Sequence, residues 1–175
     1  ARLGIPYAEL SRLYEIDRIR RQYALFAAAL GSAIDDSEYY NEANDACARL
    51  QGECGGRTFA IGQVVNGNSI EMALALEKLG LRVKAVFANI SGDDFPFINE
   101  LAELNPELKV YSTLSPTMMN YDGSEKVDIS IGIDAQFYYP ESINVHWNDE
   151  IQPFGYKGLV HFVEAVERRL ADERA

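Results

Sequence analysis

Leu13, Ile16, Ile19, Tyr23, Phe26 and Leu30 recur at spacings of three and four. That rhythm predicts an amphipathic helix over 13–30, with Gly31 as its natural stop. A second, more polar helix is predicted over 37–50, rich in Ala, Glu and Asn. The run QGECGG, 51–56, then breaks the chain and is the best candidate for a domain boundary. From Arg57 the pattern changes to short apolar runs alternating with helical ones. TFAIGQVV reads as a strand, and SIEMALALEKLG as a helix closed by Gly80. LRVKAVFANI is the next strand. DDFPFINELAELNP is the next helix, with Asp93 or Asp94 as cap and Pro96 in its first turn. KVYSTLS is a third strand, followed by the polar stretch PTMMNYDGSEK. VDISIGI and SINVHWN are the fourth and fifth strands. GYKGLVHFVEAVERRL closes the chain as a helix with Leu159, Phe162, Val163, Val166 and Leu170 on one face.

Strands that read as near-continuous apolar runs are covered on both faces. With right-handed crossovers, the alternation predicts an α/β fold: a Rossmann-like open parallel sheet with helices on both faces, preceded by a helical segment.

The chain has 175 residues, 47% hydrophobic and 25% charged, which suits one full domain or a domain with an appendage. A net charge of −11 argues against nucleic-acid binding, which needs Lys and Arg to displace counterions. No apolar stretch approaches the ~20 residues of a membrane span, so no membrane partner is expected. Cys47 and Cys54 are too few for a disulfide framework, and a cytoplasmic location is the expectation. The opening ARLGIPYAEL lacks Met and reads as a strand end with its exit loop, as in a piece of something larger.

GQVVNGNS, 62–69, is one residue away from a phosphate loop: Gly62, Gly67 and Ser69 stand in place, but Asn68 replaces the lysine. Without that charge the loop has no grip on β- and γ-phosphates. The second strand ends in Asn89, Ile90 and Ser91, so no acid awaits a ribose either. Two readings remain for the loop. It is a Gly-Asn-Ser turn and cap, or it faces a ligand at the carboxyl edge of the sheet.

Taken together, LGIPYAELSRLYEIDRIRRQYALFAAALG, GGRTFAIGQVVNGNSIEMALALEKLGLRV and PFGYKGLVHFVEAVERRL resemble the C-terminal part of nitrogenase component 1 type subunits. That family includes the molybdenum–iron protein subunits, cofactor-assembly scaffolds and the catalytic subunits of dark-operative protochlorophyllide reductase. The resemblance runs over about residues 3 to 171 in consistent order and spacing. It implies that 57–175 is the last Rossmann-like domain, and that 1–56 is the tail of a preceding domain plus connecting helices. It also implies that Gly62, Gln63, Asn66, Gly67, Asn68 and Ser69 pack against a metal–sulfur cofactor or tetrapyrrole between the domains. Backbone N–H groups suit the sulfides of such a cluster. Implied partners are the missing N-terminal domains, a homologous subunit and an ATP-dependent iron–sulfur reductase. The fragment alone is then expected to hold no cofactor and to be inactive.

His146 matches a family His that ligates the cofactor metal, with Pro153 seven residues on. Beyond Pro153 this sequence is one residue shorter before Gly155. Asp149 or Asn148 would supply its second-nitrogen partner. The other reading is a strand-end His satisfied by backbone or water. Some family features have no counterpart here. The cationic residue of the Gly-rich loop is missing, and Cys47 and Cys54 match no family ligand. His161 reads as a surface or packing residue. FYYP, 137–140, suits either a hydrophobic pocket wall or an exposed rim at a subunit contact. The rival function is a binding module or cofactor scaffold without turnover.

Overall fold

The computed structural model describes residues 9–123, 125–149 and 151–175. The strand end expected near Leu3 to Pro6 lies outside the described residues. Two helices come first. α1 (Ile16–Leu30) ends at Gly31, as its apolar spacing predicts. α2 (Ser37–Cys54) continues past the expected end at Leu50. Leu50 and Cys54 are one turn apart and both fully buried, so the helix persists until Gly55 and Gly56 break it.

β1 (Thr58–Ile61), β2 (Arg82–Phe87), β3 (Lys109–Tyr111), β4 (Ile129–Ile131) and β5 (Ile143–Val145) form one sheet in the order β3-β2-β1-β4-β5. Every neighbouring pair is parallel, as the alternation predicts. α3 (Ser69–Lys78), α4 (Phe95–Leu104), α5 (Ile133–Tyr138) and α6 (Gly155–Arg174) connect or follow the strands. α5 does not show in the sequence pattern, because six residues span less than two turns and cannot display a period. Asp94 precedes α4 without capping it. Its carboxylate instead accepts the Ser91 N–H at 2.7 Å and closes the 3₁₀ turn Gly92–Asp94.

The two faces are unequal. Phe59, Ile61, Val83, Val86, Ile129, Ile131 and Val145 join a large core that includes buried residues of α1, α2, α3 and α6. Alternate positions Ala60, Ala85 and Phe87 point the other way. There Tyr138, at the end of α5, stacks on Phe87 with ring centroids 4.1 Å apart, and the Tyr121 and Tyr139 hydroxyls meet at 2.5 Å. Two aromatics of the FYYP run thus turn inward, while Phe137 stays 82% exposed. β5 is an edge strand, and Arg169 of α6 donates Nε–H to the Asn144 carbonyl at 2.9 Å. No helix among the described residues is long and apolar enough to cross a membrane.

Because α2 shares its core with the sheet, the helical segment and the Rossmann-like part should unfold together. Leu50→Ala is expected to lower stability by about 2–5 kcal/mol. The readout is Trp147, buried against Phe162 in that same core. An unchanged Trp147 transition in urea would show that α2 is not part of the cooperative unit.

Candidate functional site

β1 has β2 on one side and β4 on the other, so the winding of the chain reverses between β1 and β4. Ligands of open α/β sheets gather at the carboxyl ends beside such a reversal. Loop 62–68 leaves β1 there, and α5 leaves β4 there. The two are locked by one side chain. Asp134 Oδ2 accepts the Gln63 N–H at 2.7 Å, and Oδ1 accepts the Val64 N–H at 3.0 Å. A Cβ on residue 62 would stand 2.1 Å from Asp134 Oδ1, which is why the position is glycine. Gly132, with φ of 96°, brings α5 in tightly from the other side.

The rest of the loop is equally engaged. The Asn66 N–H donates to the Trp147 carbonyl at 2.7 Å, and its side-chain amide to the Asp149 carbonyl at 2.5 Å and to Gln152. Gly67 passes against the Tyr14 ring. Asn68 caps α3, accepting from Ile70 and Glu71 N–H, and donates to Asp94 at 2.5 Å. Ser69 Oγ donates to the Gly62 carbonyl at 2.8 Å. Gln63 Oε1 accepts from Asn89 at 3.1 Å and from Thr113, tying together the loops after β1, β2 and β3.

His146 is exposed at the end of β5, next to Trp147, which holds Asn66. Its Nε2 pairs with Gln136 Oε1 at 3.2 Å, so the partner comes from α5 and not from Asp149 or Asn148. α5 therefore touches both parts of the expected site, the loop through Asp134 and His146 through Gln136. His146 opens on a groove of about 530 Å³ whose lining includes Asp149, Gln152, exposed His161 and Arg168.

Three residues behind the loop escaped the sequence reading. The Glu71 carboxylate, fully buried in the first turn of α3, accepts the Tyr14 and Glu15 N–H groups just before α1. The Asn-x-x-Glu spacing from Asn68 to Glu71 resembles a capping box, but Glu71 caps another helix. Tyr14 OH donates to the Asn66 carbonyl and accepts from Trp147 Nε1 at 2.5 Å. Burial pushes the Glu71 carboxyl up to about 7, against the pull of those two amides. Cys47 and Cys54 are free and buried, and burial pushes both thiols up to about 11, far from the thiolate form.

Part of the loop's donor set is not open to the sulfides of a metal–sulfur cluster. The Gln63, Val64 and Asn66 amides are committed, two of them to a carboxylate that repels sulfide. Among the described residues no group of three or more His, Cys, Asp or Glu is placed to hold a metal ion.

No protein-family model matches the chain, and no curated protein matches it. A solved structure of nitrogenase Cp1 at pH 6.5 superposes with a TM-score of 0.71 at 18% identity, over 94% of this chain. The fold is nitrogenase-like. The chain spans 40% of the length of that nitrogenase Cp1 chain, and the likeness to nitrogenase Cp1 is one of fold.

Two outcomes follow from the site. The folded state keeps a proton on Glu71 that the unfolded chain has lost between pH 4.5 and about 7, so stability falls as pH rises through that window. The full effect is about 3 kcal/mol, and it should be absent from Glu71→Gln. Urea titrations at about pH 5 and about pH 8 read the difference; equal slopes in both proteins would discard Glu71 as its source. Second, Asn68 brings no charge and its side chain is occupied, so calorimetry with millimolar ATP should show no saturable heat. Asn68→Ala should cost about 0.5–2 kcal/mol as a lost cap. Saturable ATP binding lost on Ser69→Ala would overturn this reading of the loop.

Proposed function

We propose that this chain supplies the last Rossmann-like domain of a nitrogenase component 1-like oxidoreductase. Residues 57–175 are that domain, and 1–56 the tail of the preceding one with connecting helices. The extent of the fold match carries the proposal. A generic Rossmann sheet would account for β1 onward, whereas coverage of 94% reaches into α1 and α2. In this reading the carboxyl edge, with Gly62 to Ser69, α5 and His146, forms one wall of a pocket at the domain junction. The parent receives electrons one at a time from an ATP-driven iron–sulfur reductase and works beside a homologous subunit. The fragment alone is inactive.

A second reading is a module that holds a ligand or assembles a cofactor without turnover. The Asp134 carboxylate in the loop favours it, because it takes up amides that a cluster would use. Upstream sequence separates the two: about three or four cysteines, enough for an electron-relay cluster, support the oxidoreductase, and their absence the module.

His146 is the residue we assign to ligand contact, since it is exposed and only one ring nitrogen is engaged by Gln136. In the full-length parent, His146→Ala is expected to lower occupancy of the junction ligand, read by absorbance and by mass of the extracted material. The melting temperature of the chain should barely move, because an exposed His contributes little packing. Unchanged occupancy together with an unfolded variant would make His146 a structural residue and sink the assignment.

A further inference from the structure

The loop after β1 contains an Asn-Gly step, Asn66–Gly67, and the sequence holds no other. Asparagine is chemically labile, most of all before glycine, whose backbone nitrogen is free to swing onto the asparagine side chain. The reacting groups are open in this loop. Gly67 is exposed at a φ of 123°, and its N–H has no hydrogen-bond partner among the described residues. Asn68 has the next smallest successor, Ser69, but both ends of its amide are occupied: Oδ1 by the Ile70 and Glu71 N–H groups, Nδ2 by Asp94. Asn66 is restrained at one end alone. Its Nδ2 donates to the Asp149 carbonyl at 2.5 Å and to Gln152 Oε1. Ring closure requires Cγ to swing back over its own main chain, and these two bonds hold the side chain towards 149–152 instead.

We propose that Asn66–Gly67 is a deamidation site restrained by the 149–152 segment, and that its conversion uncouples the loop after β1 from that segment. The Gly67 nitrogen gives up its proton to hydroxide and attacks Asn66 Cγ. A bond forms between them, the Cγ–Nδ2 bond breaks, and Nδ2 leaves as ammonia with a proton taken from water. Water then opens the succinimide on either side, to aspartate or to isoaspartate, and no other reactant enters. Neither product replaces the amide. A carboxylate has no proton for the Asp149 carbonyl, so two acceptors face each other. Gln152 can turn its own amide to donate, but a main-chain carbonyl cannot. Isoaspartate also lengthens the main chain by a methylene between residues 66 and 67. That insertion falls where the Asn66 N–H is held by the Trp147 carbonyl and its C=O by the Tyr14 hydroxyl. The bonds that fail are those joining the loop to the segment after His146. Hydrolysis runs one way, so the change accumulates with the age of the molecule.

The test incubates the chain in mildly alkaline buffer, folded and unfolded in guanidinium, and follows every asparagine by peptide mapping. In the unfolded chain Asn66 should convert before all others. The folded wild type should convert it more slowly, because ring closure waits on local opening. Gln152→Ala removes one of the two restraints and should speed conversion of the folded chain about fivefold, the gain in open population from one lost hydrogen bond. Asn66→Asp makes one product directly. Its residue-66 amide should exchange with solvent about fivefold faster than in the wild type, for the same reason. Far-UV circular dichroism verifies that each variant is folded. Conversion as fast in the folded wild type as in guanidinium overturns the proposal, as does another asparagine leading in the unfolded chain. So does a folded Gln152→Ala that converts at the wild-type rate, or an Asn66→Asp amide that exchanges no faster. If Gln152→Ala does not fold, the folded and unfolded wild type still decide the restraint between them.

Discussion

A carboxylate that water cannot reach governs the position of the N-terminal segment on the sheet. Glu71 sits in the first turn of α3, and its two oxygens take the N–H groups of Tyr14 and Glu15 as the chain enters α1. Burying such a group without partners costs several kcal/mol, so it tolerates little displacement of the amides that satisfy it. The same spot is crowded by Glu15, itself buried and contacted by Arg18, Arg21 and Lys78. The entry to α1 is thereby fixed to the helix that follows the Gly-rich loop. One residue supplies the reference point from which the 9–15 segment is laid across the site.

From that point a short relay reaches the cleft. Tyr14 follows directly on the held backbone, and its hydroxyl joins Trp147 Nε1 to the Asn66 carbonyl. Trp147 in turn accepts the Asn66 N–H through its own carbonyl, and His146 is its neighbour in sequence. Loop and His are therefore set by the helical segment as much as by the sheet. On the other flank α5 performs the matching service, with Asp134 on the loop and Gln136 on His146. The loop and His146 are thus each held from more than one element of the fold.

Much of this was legible in the sequence. Strand and helix order, the parallel sheet, the stops at Gly31 and Gly80 and the cap at Asn68 are local matters, encoded by periodicity and turn chemistry. What escaped was set by tertiary partners. α2 outran its expected end because Cys54 found a buried seat, and the six residues of α5 were too few to announce a helix. The loop from Gly62 to Ser69 leaves β1 at the carboxyl edge, and its hydrogen bonds go to Asp134, Trp147 and Asp94. Asp94 lies 26 positions from Asn68 and Asp134 lies 71 from Gln63, and no spacing rule spans such gaps. The resemblance of the closing motifs to nitrogenase component 1 agrees with the superposition on nitrogenase Cp1 at the level of fold.

The Arg169 contact with Asn144 has a bearing on how these molecules behave in a crowd. A parallel sheet with a bare edge invites a strand from another molecule, the first step towards fibrils and swapped assemblies. On the β5 border an arginine from α6 already holds one of the carbonyls that an incoming strand would need, and it brings a positive charge to the place where the newcomer's backbone would lie. Any added strand must first displace a charged hydrogen bond. The last helix thus closes the core and also guards the sheet against growing.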